Sequence, residues 1–83
     1  MLFRSRSVSC ALAEGTLAKD LGELQARYAD LEIGSYPYFR RRDFGVTLVV
    51  RGTDRDRLDA AIEELKGLIR TLGGDPQEGL AEE

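Results

Sequence analysis

The chain has no histidine and a single cysteine, Cys10. A Ser-His triad, a Cys-His nucleophile and a histidine metal site are therefore excluded. So are an internal disulfide and a thiolate zinc cluster, and Cys10 itself reads as a small buried hydrophobe. Carboxylates are plentiful, with Asp54, Asp56, Asp59, Glu63 and Glu64 close together. General acid–base chemistry needs two carboxylates converging in a cleft. These instead line the polar side of a helical repeat, with Lys66 and Arg70 as ordinary face neighbours, and read as a solvated helix face. No catalytic, metal-binding or cofactor-binding residue is assigned, no cofactor is expected, and the chain is not expected to be an enzyme by itself.

One stretch does combine side chains that recognise partners: "SYPYFRRRDFGVTLVVRGTD", Ser35 to Asp54. Tyr36, Tyr38 and Phe39 precede three consecutive arginines, Arg40, Arg41 and Arg42, at the expected tip of a hairpin. Single-stranded nucleic acid binds where bases stack on aromatics beside cations. If Tyr36 and Tyr38 face away from the helices, then Thr47, Val49 and Arg51 complete such a platform. Against this, no GXXG loop is present and the central strand lacks an aromatic pair of the RNP type. The other reading makes Tyr36, Tyr38, Arg40, Arg41, Arg42, Thr47 and Val49 a docking surface for a neighbouring domain. A further glycine, Gly15, could turn amides at a helix start toward a phosphate, but Glu14 beside it repels anions.

The elements that hold these residues follow from periodicity. "LFRSRSVSCAL" alternates, with Val8, Cys10 and Leu12 on one face of a half-buried strand. Leu17, Leu21, Leu24 and Tyr28 make a helical stripe, with Thr16 as its expected N-cap. Gly22 lies mid-helix, where a close packing contact would justify it. Leu31 and Ile33 open a second strand, which Pro37 restricts to an edge. "FGVTLVVRG" is the most apolar run and is expected at the centre, with Phe44, Val46, Leu48 and Val50 on one face. Leu58, Ala61, Ile62, Leu65, Leu68, Ile69 and Leu72 mark a long amphipathic helix. Thr53 and Asp56 have near capping-box spacing, and Gly73-Gly74 supplies the stop. The tail "DPQEGLAEE" has no periodicity.

The order β-α-β-β-α implies an α+β two-layer sandwich. A right-handed crossover gives sheet order 1-3-2 with both helices on one face. That is a KH-like or truncated ferredoxin-like domain over residues 1–74, with a disordered tail over 75–83. At 83 residues it is one small domain with a thin stability margin. Its apolar share of 42% and charged share of 33% are those of a folded globular chain. A net charge of −3 gives no global attraction to nucleic acid or anionic lipid. No apolar stretch approaches the roughly 20 residues that span a bilayer, and the N-terminus lacks a signal-peptide core. A cytoplasmic location is expected, without membrane association.

Glu14-Gly15-Thr16 at a helix start, "IGSYP" from Ile33 to Pro37, and the turn Arg51-Gly52-Thr53 together resemble one known family. They are similar to the segment that follows the molybdopterin-binding-like domain in the competence/damage-inducible protein A (CinA) family. The resemblance covers about residues 5–74. It departs from the family where Gly15 replaces the commoner serine. It implies a non-catalytic accessory domain packing on that molybdopterin-binding-like domain, which binds nucleotide or cofactor, or on a second copy of itself. The parent family is linked to nucleotide pyrophosphatase and nicotinamide-nucleotide amidase activities, whose domains are not represented here. The alternative is a free-standing KH/RRM-like module for single-stranded nucleic acid, which the acidic total disfavours.

Overall fold

The computed structural model describes residues 4–78. The elements are β1 (Arg4–Cys10), α1 (Glu14–Arg27), β2 (Glu32–Phe39), β3 (Phe44–Gly52), α2 (Arg55–Thr71) and β4 (Gln77–Glu78). The sheet order is β2-β3-β1-β4, with every neighbouring pair antiparallel. The expected order 1-3-2 is present within it, and β1 runs parallel to β2 across the central β3. The expectation of a missing fourth strand is corrected. Gln77 and Glu78 pair with Ser9 and Val8 and complete the βαββαβ order. Residues 79–83 of the expected tail lie outside the described residues.

Register decides which side chains make the core. Val8 faces Leu48 and Cys10 faces Val46 across the β1–β3 ladder. These residues and Val50 join Leu17 and Leu24 of α1, Tyr28 at its C-cap, and Leu58, Ala61, Ile62, Leu65 and Ile69 of α2 in one buried cluster. Both helices therefore cover the same face. Cys10 is buried as read, and burial pushes its thiol up.

The helix ends differ from the expected caps. α1 begins at Glu14, and its N-cap is Ala13, with no side-chain cap. Thr16 lies inside the first turn, its amide donating to the Ala13 carbonyl at 3.0 Å. Asp54, not Thr53, caps α2: its carboxylate accepts from the Asp56 and Arg57 amides at 3.0 and 3.2 Å. The C-terminus follows expectation. Gly73 has φ of +90°, its amide donates to the Arg70 carbonyl, and that of Gly74 donates to the Ile69 carbonyl. This is a Schellman stop.

Side-chain clasps fix the helices and the last strand. Tyr28 Oη donates to one Glu64 oxygen, and Arg27 donates to the other at 2.8 Å. Arg57 grips Asp30 through two nitrogens, at 3.1 and 2.7 Å, and lies 4.5 Å above the Tyr28 ring. The Tyr28 hydroxyl and Arg27 hold the Glu64 carboxyl below the usual range. On β4, Glu78 bonds Arg6 and lies 2.5 Å from Lys66 Nζ.

Candidate docking surface at the β2–β3 hairpin

The β1–β3 ladder ends at Cys10–Val46, whereas β2–β3 continues to Phe39–Phe44. The hairpin therefore runs two residue pairs, about 7 Å, past the end of β1 as a two-stranded ribbon. Its tip is closed by the Arg40 amide donating to the Asp43 carbonyl at 2.8 Å.

Both faces of this ribbon are aromatic. Tyr36 pairs with Thr47, Tyr38 with Gly45 and Gly34 with Val49, all on the face away from the helices. The sequence-derived set Tyr36, Tyr38, Thr47 and Val49 is thus brought together on one open surface. Ser9 joins it from β1, its hydroxyl 2.9 Å from that of Thr47. Each tyrosine ring lies along the sheet over a glycine. A Cβ on Gly34 would lie 3.0 Å from Tyr36 Oη, and one on Gly45 would lie 2.5 Å from Tyr38 Oη. An aromatic filling the space over a strand glycine restores the cover that residue lacks. Gly45 has a second reason, since its Cβ would meet the Cys10 carbonyl at 2.3 Å.

The arginines divide. Arg40 lies 4.5 Å over the Tyr38 ring, a cation–π contact, and its Nε is 3.9 Å from Asp43. Arg41 and Arg42 are exposed in the turn, and among the described residues neither meets a carboxylate.

On the helix side, Phe39 faces Phe44. Phe44 shares the face of Val46, Leu48 and Val50 as expected, yet it is 48% exposed, and Phe39 is 83% exposed. The alternation holds along β3, but the ribbon outruns the helices that would cover it. With Pro37 and Ala13 the two rings frame an apolar notch of about 310 Å³ beside the start of α1.

The outer edge of β2 is blunted against strand addition. The Ile33 amide points away from β3 and donates to Gln25 Oε1 at 3.1 Å. Ser35, Pro37 and Phe39 share that outward orientation, and proline has no donor to offer. Ser35 gives its hydroxyl to Glu14. Between this edge and α1 lies a groove of about 420 Å³ past Gly15, Ala18 and Gly22. The close contact expected at Gly22 is absent, because a Cβ there would meet nothing within 4 Å.

A family model described as "FAD synthase, middle domain" matches residues 2–73. The chain belongs to that family. This overturns the resemblance to the CinA family and, with it, the expected link to a molybdopterin-binding-like domain. The three short motifs behind that resemblance occupy a helix start, an edge strand and the turn before α2. Any βαββα unit needs suitable residues there, so they mark the fold rather than a lineage. No curated protein matches the sequence.

Among solved structures, the FAD synthase middle domain is similar to the de novo designed protein Foldit4. The TM-score is 0.76 at 11% identity, over 98% of this chain and 100% of that one. It is also similar to the designed protein LFR1 1 with ferredoxin fold (TM-score 0.69, 12% identity, 100% and 88% covered). A third similarity is to formyltetrahydrofolate deformylase from Burkholderia mallei (TM-score 0.52, 20% identity), over 92% of this chain but 26% of that one. At such identities the likeness establishes the ferredoxin-like fold alone. Among the described residues no helix is long and apolar enough to cross a membrane.

Proposed function

We propose that this FAD synthase middle domain is a non-catalytic accessory domain that docks through its β2–β3 hairpin. Its partner would be another domain of an FAD synthase-type protein, or a second copy of itself. The observation that supports this is the hairpin tip, where Phe39 is 83%, Tyr36 59% and Phe44 48% exposed. Three large apolar rings standing clear of the core of so small a domain are the usual mark of a protein interface. Arg41 and Arg42 would rim the patch, orienting the partner and contributing little to affinity. The helix carboxylates are committed elsewhere: Asp59 to Arg6, Glu64 to Arg27, and Glu63 to Lys66. That arrangement suits a scaffold rather than a reaction centre.

The test is an amide-shift titration of the chain with the separately expressed remainder of an FAD synthase-type protein. Sedimentation of the chain alone would run in parallel. Docking predicts shifts concentrated at 35–47 and their loss in Phe39→Ser/Phe44→Ser, or dimerisation lost in the same variant. Shifts confined to α2 would sink the hairpin assignment, as would a monomer that shows no shifts at all.

A further inference from the structure

We propose that the groove between the start of β1 and the first turn of α2 binds a phosphoryl dianion. This groove of about 410 Å³ is lined by Arg4, Ser5, Arg6, Arg55, Leu58 and Asp59. It lies at the end of β1 and β3 away from the hairpin tip, apart from the docking surface. Asp59 and Glu78 compensate Arg6, which leaves Arg4 and Arg55 as the two guanidiniums of the groove without a carboxylate partner among the described residues.

The three arginines differ in how they are held. Arg6 is fixed: Nη1 donates to Asp59 at 2.8 Å, while Nε and Nη2 engage Glu78. Five N–H groups belong to a guanidinium, so Arg6 keeps two for a ligand in a preset orientation. Arg4 and Arg55 are exposed, and among the described residues neither meets a carboxylate. Arg57, two positions after Arg55 in α2, is excluded because Asp30 already occupies it. The amides at the α2 start are likewise taken by the Asp54 carboxylate. Recognition therefore falls to the arginine forks.

Guanidinium forks match the oxygens of carboxylate and phosphate alike. Two uncompensated charges select the doubly charged group over a single carboxylate. Leu58, itself buried, gives the groove an apolar floor. The phosphoryl group could belong to inorganic pyrophosphate or to a nucleotide, and the titration separates them.

The experiment follows backbone amides of the full chain during addition of inorganic pyrophosphate and, separately, ATP. Saturable shifts at Arg4–Arg6 and Arg55–Asp59 are expected. Affinity should fall about a hundredfold or more in Arg4→Gln/Arg55→Gln, the loss expected for two charge-assisted contacts. The Arg41→Gln/Arg42→Gln variant should bind as the parent does. Equal affinity for both ligands assigns the phosphoryl chain alone; tighter ATP binding assigns a nucleotide. Two results overturn the proposal: no saturable shift at this groove, or equal shifts at the hairpin arginines, which would mean diffuse attraction only. Both substituted residues are exposed, so the folded state of each variant can be checked by the unchanged remainder of its spectrum.

Discussion

Glu78 of β4 lies 2.5 Å from Lys66 Nζ of α2, and its second oxygen engages Arg6 of β1. One carboxylate thus ties a two-residue strand to both layers of the fold. Lys66 first, and then Arg6, hold the Glu78 carboxyl below its usual range, against desolvation. Asp59 and Glu63 are the other charges facing these cations.

A depressed carboxyl contributes stability that is fully present above its unfolded value and is lost as pH falls through its folded value. Lowering the pH from neutral through the carboxylate range should therefore loosen β4 before it unfolds the domain. Glu78→Gln should remove that step and cost no more than about 1 kcal/mol, because the pair is partly exposed. Hydrogen exchange at Ser9 and Gln77 against pH, in both proteins, checks it. Identical acid profiles would show that the latch has no thermodynamic role.

Gly45 and Gly22 should respond to alanine with opposite signs. At Gly45 the added methyl meets the Cys10 carbonyl at 2.3 Å and the Tyr38 hydroxyl at 2.5 Å. Overpacking of that kind costs about 1–3 kcal/mol. At Gly22, inside α1 with open space around it, alanine should stabilise by about 0.5–1 kcal/mol. Urea midpoints of the two variants decide the matter.

Periodicity was sufficient for the layers. The stripe from Leu58 to Leu72 and the alternation through Val46, Leu48 and Val50 each report a face buried against another element. Edge placement of β2 was legible because Pro37 cannot donate. β4 was not, since a two-residue strand has no period to detect, and its pairing is supported by distant charges on Arg6 and Lys66. The surface residues Tyr36, Tyr38, Thr47 and Val49 fell together as read, because cross-strand register is fixed once the turn is placed. The exposure of Phe44, on the same face as Val46, Leu48 and Val50, was not legible for the converse reason. Alternation gives the face of a strand but not how far the covering helix extends.

The α2 cap offers a local test of side-chain geometry. Asp54→Ala should cost about 1 kcal/mol, since it strands the Asp56 and Arg57 amides. Thr53→Ala and Thr16→Ala, neither of which removes a cap, should each stay within about 0.5 kcal/mol of the parent. Thermal or urea unfolding of the three variants distinguishes an aspartate cap from the threonine caps that spacing alone would assign.

The open sheet face should not hold single-stranded RNA. Stacking platforms need ring faces free for bases, yet one face of Tyr38 is already covered by the Arg40 guanidinium at 4.5 Å. β1 contributes small hydroxyls such as Ser9 to the same surface rather than further rings. The net charge of −3 leaves little to gain from counterion release. Anisotropy of a labelled oligouridine at physiological salt should therefore show no saturable binding. Lowering the salt should bring only a weak response that tracks the hairpin arginines. Submicromolar binding at physiological salt, abolished in Arg40→Ala/Arg41→Ala/Arg42→Ala, would make the hairpin a nucleic-acid surface and displace the docking proposal.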